Sequence, residues 1–384
     1  MMRLIILLLS VPFIMIGQTT IKCTTSEINK KYFEEHPEAK KEREWLNEKS
    51  RLAEFNKSAA SSSITIPIVF HVNDATNPQK VTLAQVQSAV DILNEDYNGL
   101  NPGFNSLRPE FQGIASNLEI NFCLASIDPA GNAANGVTYH YNNYNGREPN
   151  GSGAAVKGVS LWPCDKYLNV WIVNEVEDDG DLYRSGWSFY PSTSLANQGL
   201  DGIVYNHRYL GYDEGSSDVS GPSSWQAEMA RVLTHEVGHY LNLMHTFENY
   251  CTAPGDEVTD TPPVYYHGTN NCQQLGSLCT GVTIVNDENY MDYTPCPSMF
   301  TDGQKTRVLT ALNSSVGYRN NLWSSANLIA TGCQQATAIE EKNEMNRNLI
   351  KIVDVLGRST KAISNTTLFY IYDDGSVEKK IIVE

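Results

Sequence analysis

Thr234-His235-Glu236-Val237-Gly238-His239-Tyr240-Leu241-Asn242-Leu243-Met244-His245 carries three imidazoles and a carboxylate at spacings suited to metal chemistry. His235 and His239 are four residues apart. On a helix that puts both rings on one face, about 6 Å apart along the axis and about 40° apart around it. Such a pair suits two corners of a zinc tetrahedron. Glu236, beside His235, projects toward the place of a zinc-activated water, where a carboxylate can take a proton and pass it to a leaving amine. His245 cannot reach the same metal on a continuing helix, where it would lie about 15 Å beyond His235 and about 80° off its face. The chain must turn sharply after His239. Asn242 is the residue able to do this, because Asn tolerates the left-handed conformation that ends helices. The reading is a three-histidine site with an open fourth position. Asn289-Tyr290-Met291-Asp292-Tyr293-Thr294 is a candidate Met-containing floor beneath it. His36, His71, His140, His207 and His267 stand alone and read as ordinary surface or core histidines.

The helix that carries the pair is expected from about Ser224 to Leu243. Ahead of it, Ile64–Val72 reads as a strand. An amphipathic helix follows, N-capped by Thr82, with Leu83, Val86, Val90, Leu93 and Tyr97 at three- and four-residue spacing. Leu118, Ile120, Phe122 and Leu124 alternate as in a half-buried strand, and Tyr167–Val173, Trp187–Tyr190 and Gly202–Tyr205 add further strands. This order suggests one mostly parallel or mixed sheet backed by helices. A further helix is expected over Gly303–Leu312. Residues 34–56 read as a charge-dense helix with Trp45, Leu52 and Phe55 on one face, either a solvated linker or a removable pro-segment. Ser58–Ser63 is a small-residue break suited to proteolytic nicking. Beyond Cys333, Ile350–Val355, Leu368–Tyr372 and Lys380–Val383 read as a small β module.

Composition bounds the function. Net charge is −16 over 384 residues, and 61–336 alone carries 11 basic and 28 acidic residues. That excludes a nucleic-acid partner and leaves an acidic body able to host calcium. Arg3, the apolar run Leu4–Ile16 and Gly17 read as a signal peptide, too short to span a membrane. Export makes disulfides permissible for the eight cysteines. Cys251, Cys272, Cys279 and Cys296 crowd a loop that packing alone cannot hold, with three connectivities open. Cys123–Cys164 and Cys123–Cys333 are both open for a further bridge.

The motif His-Glu-x-x-His-x-x-Asn-x-x-His followed by a Met-turn resembles the metzincin metallopeptidases. The flanks, His245-Thr-Phe, Asp256–Pro262, Asn289-Tyr-Met-Asp-Tyr and Met299-Phe-Thr, resemble the pappalysin family, in particular its secreted bacterial members, over about 62–333. The resemblance implies an α+β, zincin-like metzincin fold: a mixed five-stranded sheet, backing helices and a Met-turn, plus the small C-terminal β module. It implies His235, His239 and His245 as zinc ligands, Glu236 as general base and acid, Met291 as the Met-turn residue, and Tyr293 as stabiliser of the oxyanion. It further implies calcium at Asp256, the Val258 carbonyl and Thr261, and crossed bridges Cys251–Cys279 and Cys272–Cys296. Two departures stand out. Asn242 replaces the usual Gly, which its left-handed tolerance permits. Thr294-Pro-Cys replaces acidic residues near the specificity pocket, so a preference for Arg is not carried over.

The tail 349–384 resembles the C-terminal sorting domain of proteins exported by type IX secretion, carried by 352–358 and 368–381. The expected organisation is signal peptide 1–17, pro-segment 18–61, catalytic domain 62–333 and sorting domain 337–384. Cys23 lies in the charged N-terminal segment. An unpaired thiol there finds its best soft-ligand partner in the open site of the zinc, where it would displace the catalytic water. Latent enzymes of the family are similar in this respect. A disulfide to the body and a lipid anchor are the other fates of Cys23. The expected protein is thus a secreted, latent zinc endopeptidase, extracellular or at the cell surface. It acts on proteins or peptides, has no membrane span, and engages secretion machinery through its tail. A binding protein on a metalloprotease-like fold is the alternative, disfavoured by the intact Glu236. A hydrolase of a non-peptide amide is a third reading, which substrate profiling alone would separate from the first.

Overall fold

The computed structural model describes residues 22–56, 63–146, 151–177, 179–182, 184–212, 230–265, 279–282, 284–294, 296–334, 348–373 and 377–381. The expected signal peptide, the stretch 224–229 of the expected histidine helix, Cys272 and most of the Ser58–Ser63 break fall outside these. The chain divides into two compact units, Met1–Gln334 and Gln335–Glu384.

The larger unit is built on one mixed sheet. Its strands are β1 (Lys22–Cys23), β2 (Ile64–Asn73), β3 (Ile120–Leu124), β4 (Val137–His140), β5 (Leu168–Val173), β6 (Arg184–Ser188) and β7 (Ile203–Asn206). The order is β1-β6-β7-β5-β2-β3, with β4 following β3 along the same edge of β2. Pairing is parallel throughout except β6 against β7. The expected five strands are β3, β2, β5, β7 and β6. The N-terminal segment and the short β4 add the other two. β2 and β5 are buried on both faces, which is why they read as continuous apolar runs rather than alternating ones.

Helix α1 (Thr25–Glu35) and helix α2 (Pro37–Asn56) precede β2, and α3 (Leu83–Tyr97) follows it. Thr82 caps α3 by accepting the Gln85 N–H. Val86, Val90, Leu93 and Tyr97 face the sheet, while Leu83 in the first turn stays exposed. Helix α4 (Val232–Tyr240) carries the histidine pair, and α5 (Asp302–Leu312) starts in a capping box of Thr301 and Gln304.

The structure corrects the reading of the N-terminal segment. It forms two helices, not one, and the face of α2 turned inward is Ala39, Arg43, Leu46 and Ser50. Trp45 and Leu52 are 48% and 43% exposed. A short apolar triplet on a highly charged helix did not decide which side docks, because the docking face is secured by polar bonds.

Among the described residues, Cys123 pairs with Cys333 and Cys251 with Cys279. The alternative Cys123–Cys164 is thereby excluded; Cys164 is a buried free thiol. The expected Cys272–Cys296 bridge has one partner outside the described residues.

The smaller unit is an antiparallel meander, β8 (Leu349–Val353), β9 (Thr367–Tyr372) and β10 (Val377–Ile381), with β9 in the middle.

Candidate active site

Helix α4 ends where the spacing of the histidines demands it. Asn242 adopts a left-handed backbone, φ +82°. Its N–H bonds the His239 carbonyl, and the next N–H, of Leu243, reaches back to the Gly238 carbonyl, both at 2.9 Å. This pair of bonds is the Schellman closure of a helix. It reverses the chain so that His245 joins His235 and His239.

The three rings meet through their Nε2 atoms. His239 Nε2 lies 3.0 Å from His235 Nε2 and 3.1 Å from His245 Nε2. On the outer side, His235 Nδ1 bonds the Tyr290 carbonyl at 2.7 Å and His239 Nδ1 the Leu243 carbonyl at 2.8 Å. Carbonyls only accept, so both Nδ1 atoms carry the proton and both Nε2 atoms present bare lone pairs. Burial, with His245 second, pushes His235 down to about 3, and burial and the same neighbour hold His239 well below its ordinary value. Bare lone pairs at this spacing repel unless a cation sits among them. Tetrahedral zinc with bonds of about 2.0–2.1 Å would set its nitrogens roughly 3.3 Å apart. The donor set fits a zinc ion.

Cys23 enters the same cluster. Its Sγ and one nitrogen of each histidine all lie within 4.8 Å of one another. The thiol donates to Glu236 Oε2 at 3.4 Å, and Thr25 Oγ1 lies 3.5 Å from that oxygen. Burial, and then the charge of Glu236, raise the Cys23 thiol well above its ordinary value; a metal would pull it the other way. Glu236 is fully buried, and burial pushes its carboxyl up to about 8 against the bonds from Cys23 and Thr25. Its other oxygen, Oε1, has no hydrogen-bond partner among the described residues. Tyr293 donates its phenol to the Cys23 carbonyl at 2.8 Å. A main-chain carbonyl therefore already lies beside the cluster with Tyr293 upon it.

The floor is Met291, fully buried under α4. A Cβ on Gly238 would fall inside van der Waals contact of Met291 Sδ, so the helix needs glycine there. Asp96 ties the parts together. It accepts from Thr234 Oγ1 at 2.6 Å, from the Tyr290 hydroxyl at 2.7 Å and from the Arg231 guanidinium. Burial lifts its carboxyl to about 6 despite Arg231. One carboxylate thus joins α3, the start of α4 and the residue before Met291.

The N-terminal segment lies along the outer edge of the sheet, beside the cluster. β1 runs parallel to β6, with Cys23 opposite Gly186. Side chains carry the ladder on: Thr25 Oγ1 accepts from Ser188 N at 3.0 Å, Asn29 Nδ2 donates to the Ser188 carbonyl at 2.9 Å, and Asn29 Oδ1 accepts from Tyr190 N at 2.9 Å. Lower down, Arg43 donates to the Asn242 side chain and stacks on Tyr190, 3.7 Å from the ring centroid. Asn47 bonds Glu257 at 2.9 Å and Glu54 accepts from Thr259 Oγ1 at 2.6 Å. Asp256, Val258 and Thr261 are also brought together: Thr261 Oγ1 lies 2.8 and 2.7 Å from the Asp256 oxygens and 3.0 Å from the Val258 carbonyl. Burial pushes Asp256 up to about 7.

Sequence reasoning passed over Ser26, Arg43, Asp96, Gly238 and Glu248. Two carried a signal. Gly238 is a helix breaker inside a helix motif, and Asp96 is a charge within the apolar stripe of α3. The other three are ordinary surface-type residues until the tertiary structure assembles them.

The sheet, the histidine helix closed by a left-handed residue and the methionine floor make this the metzincin metalloprotease fold. Solved structures agree. Tannerella forsythia mature mirolysin, in complex with a cleaved peptide, is 28% identical with TM-score 0.58, covering 71% of this chain and 99% of that one. A Tannerella forsythia promirolysin mutant is 27% identical with TM-score 0.64, covering 79% and 97%. Residues 154–313 match the peptidase family model described as pregnancy-associated plasma protein-A. An extracellular metalloprotease of Podospora anserina is 33% identical over 41% of this chain and 49% of its own length. One of Neurospora crassa is 27% identical over 68% and 78%. The chain spans between about a third and a little over half the length of the first curated relatives it matches, 34% to 56%.

Proposed function

We propose that this chain is a secreted zinc metalloendopeptidase of the pappalysin type, made latent by its own N-terminal segment. The observation that carries the reading is the convergence of three Nε2 lone pairs with the Cys23 thiol and the buried Glu236 in one cluster.

His235, His239 and His245 would hold the zinc, which when bound supplies Lewis acidity to water and to a peptide carbonyl. Glu236 takes the proton of the attacking water and delivers it to the leaving amine. Its place beside His235 in the cluster puts its carboxylate within reach of that water. Tyr293 donates to the carbonyl oxygen as charge develops there, as it now donates to the Cys23 carbonyl. A substrate strand pairs with the outer edge of β6, which β1, Thr25 and Asn29 now occupy. Residues 18–61 therefore form a pro-segment. Cys23 would supply a further, thiolate ligand to that zinc, and cleavage near Ser58–Ser63 would release the segment. Calcium at Asp256, Val258 and Thr261 would answer the buried carboxylate of that loop. Residues 1–17 direct export and 337–384 address the chain to type IX secretion.

The test is hydrolysis of casein or a peptide library by the cleaved protein, with and without a zinc chelator, against Glu236→Ala. The variant should keep zinc and lose about 10²–10⁴-fold or more of the rate. Full activity in metal-replete Glu236→Ala protein refutes the mechanism.

A further inference from the structure

The three histidines differ in what holds their outer nitrogens. His235 and His239 are each fixed by a main-chain carbonyl of the body, at 2.7 and 2.8 Å. His245 Nδ1 meets the Ser26 hydroxyl at 3.0 Å, and Ser26 belongs to α1 of the N-terminal segment. With Nε2 turned to the cluster, Nδ1 carries the proton and donates to Ser26 Oγ. The Ser26 hydroxyl in turn donates to Glu248 Oε2 at 2.9 Å. Glu248 itself stands 3.7 Å from His245 Nδ1. Ser26 is thus interposed between a ligand-type histidine and a carboxylate.

We propose that Glu248 is the positioning residue of His245 once the segment has gone, and that Ser26 fills this place until then. The inference rests on the zinc reading of the preceding section and adds an exchange of the outer partner upon activation. Glu248 is anchored independently of the segment: its N–H bonds the His245 carbonyl at 2.9 Å, so both side chains ride on one turn of the body. The Ser26 hydroxyl that now donates to its carboxylate belongs to the segment, and so does Arg43, whose charge also acts on it. Both leave together. A shift of about 1 Å would then close the distance to a direct charge-assisted hydrogen bond of about 2.7–2.9 Å. A carboxylate on the outer nitrogen fixes ring orientation and raises ligand basicity, which a hydroxyl does less strongly.

The experiment measures zinc dissociation constants by chelator competition, on the full chain and on the segment-free form obtained from it by limited proteolysis. Glu248→Ala should weaken zinc about 10- to 100-fold in the segment-free form. In the full chain Ser26 still accepts from Nδ1, so the same substitution should change affinity by less than about threefold. Glu248→Gln should recover part of the loss, because it restores an acceptor without the charge. Nitrogen chemical shifts of His245 give a second readout, the Nδ1–H being retained in both forms of the unsubstituted protein. An equal loss in both forms overturns the proposal and makes Glu248 a support of the loop. No loss in the segment-free form also overturns it, since water would then serve His245. If the unsubstituted protein binds no zinc in either form, the zinc site itself is refuted and the exchange falls with it.

Discussion

Gly238→Ala probes the packing of helix against floor. In an exposed helix interior this change gains about 1 kcal/mol, since alanine loses less backbone freedom than glycine. Here the new methyl would enter the space of Met291 Sδ, 3.2 Å from its Cε and 3.6 Å from Leu243 Cδ1. Met291 is fully buried and cannot swing into solvent. Overpacking of this kind costs about 1–3 kcal/mol, so the net effect should be a loss of roughly 0–2 kcal/mol rather than a gain. The displaced methionine follows Tyr290, whose carbonyl orients His235, so zinc affinity should fall as well. Denaturant unfolding of the metal-free protein gives the first quantity and chelator competition the second. In a Met291→Ala background the clash is gone, and the same Gly238→Ala should recover its helical gain of about 1 kcal/mol. If Gly238→Ala stabilises both backgrounds alike, Met291 does not bear on Gly238 and the floor has been misread.

Full-length Cys23→Ala should hydrolyse peptides before the segment is cut, whereas the unsubstituted chain stays latent. Equal latency in a peptidase assay would leave bulk alone, and no thiolate, as the block. Asp74→Asn should cost about 2 kcal/mol at pH 7, because the carboxylate accepts from the Thr76 and Asn77 N–H groups, Asn174 and Lys80. These donors outweigh burial and hold the carboxyl far below its ordinary range. The stabilisation is therefore complete above the unfolded value near pH 4 and is lost as pH falls below it, since the unfolded chain binds the proton first. Urea midpoints of variant and parent should converge on acidification; a constant gap would refute the assignment.

Much of the site was legible because its logic is local. Four-residue spacing on a helix, and the impossibility of His245 on a continuing one, are facts of helix geometry, and the left-handed Asn242 follows from them. The buried strands β2 and β5 and the cap at Thr82 were equally local. What pairing partners share lies outside that logic. Nothing in the sequence around Cys123 distinguishes Cys164 from Cys333; the choice depends on which residue the folded sheet brings to Cys123. Apolarity points to the Trp45 side of α2 as its docking face, whereas Trp45 is exposed in the structure. The structure anchors that helix through Arg43 and Asn47 instead, bonds whose partners, Asn242 and Glu257, lie some 200 residues away, at separations of 199 and 210.

The sequence by itself thus determined the kind of chemistry, because metal ligation needs particular atoms at spacings a helix can supply. It also marked Cys23 as a thiol in want of a partner. Only the tertiary structure decided that β1 closes the edge of β6, that the Cys23 carbonyl lies under Tyr293, and that Ser26 stands between His245 and Glu248. These are contacts between segments more than 150 residues apart in sequence, at separations of 270, 219 and 222 for the last three hydrogen bonds. Their energies arise when packing excludes water and aligns donors with acceptors, which no local pattern encodes.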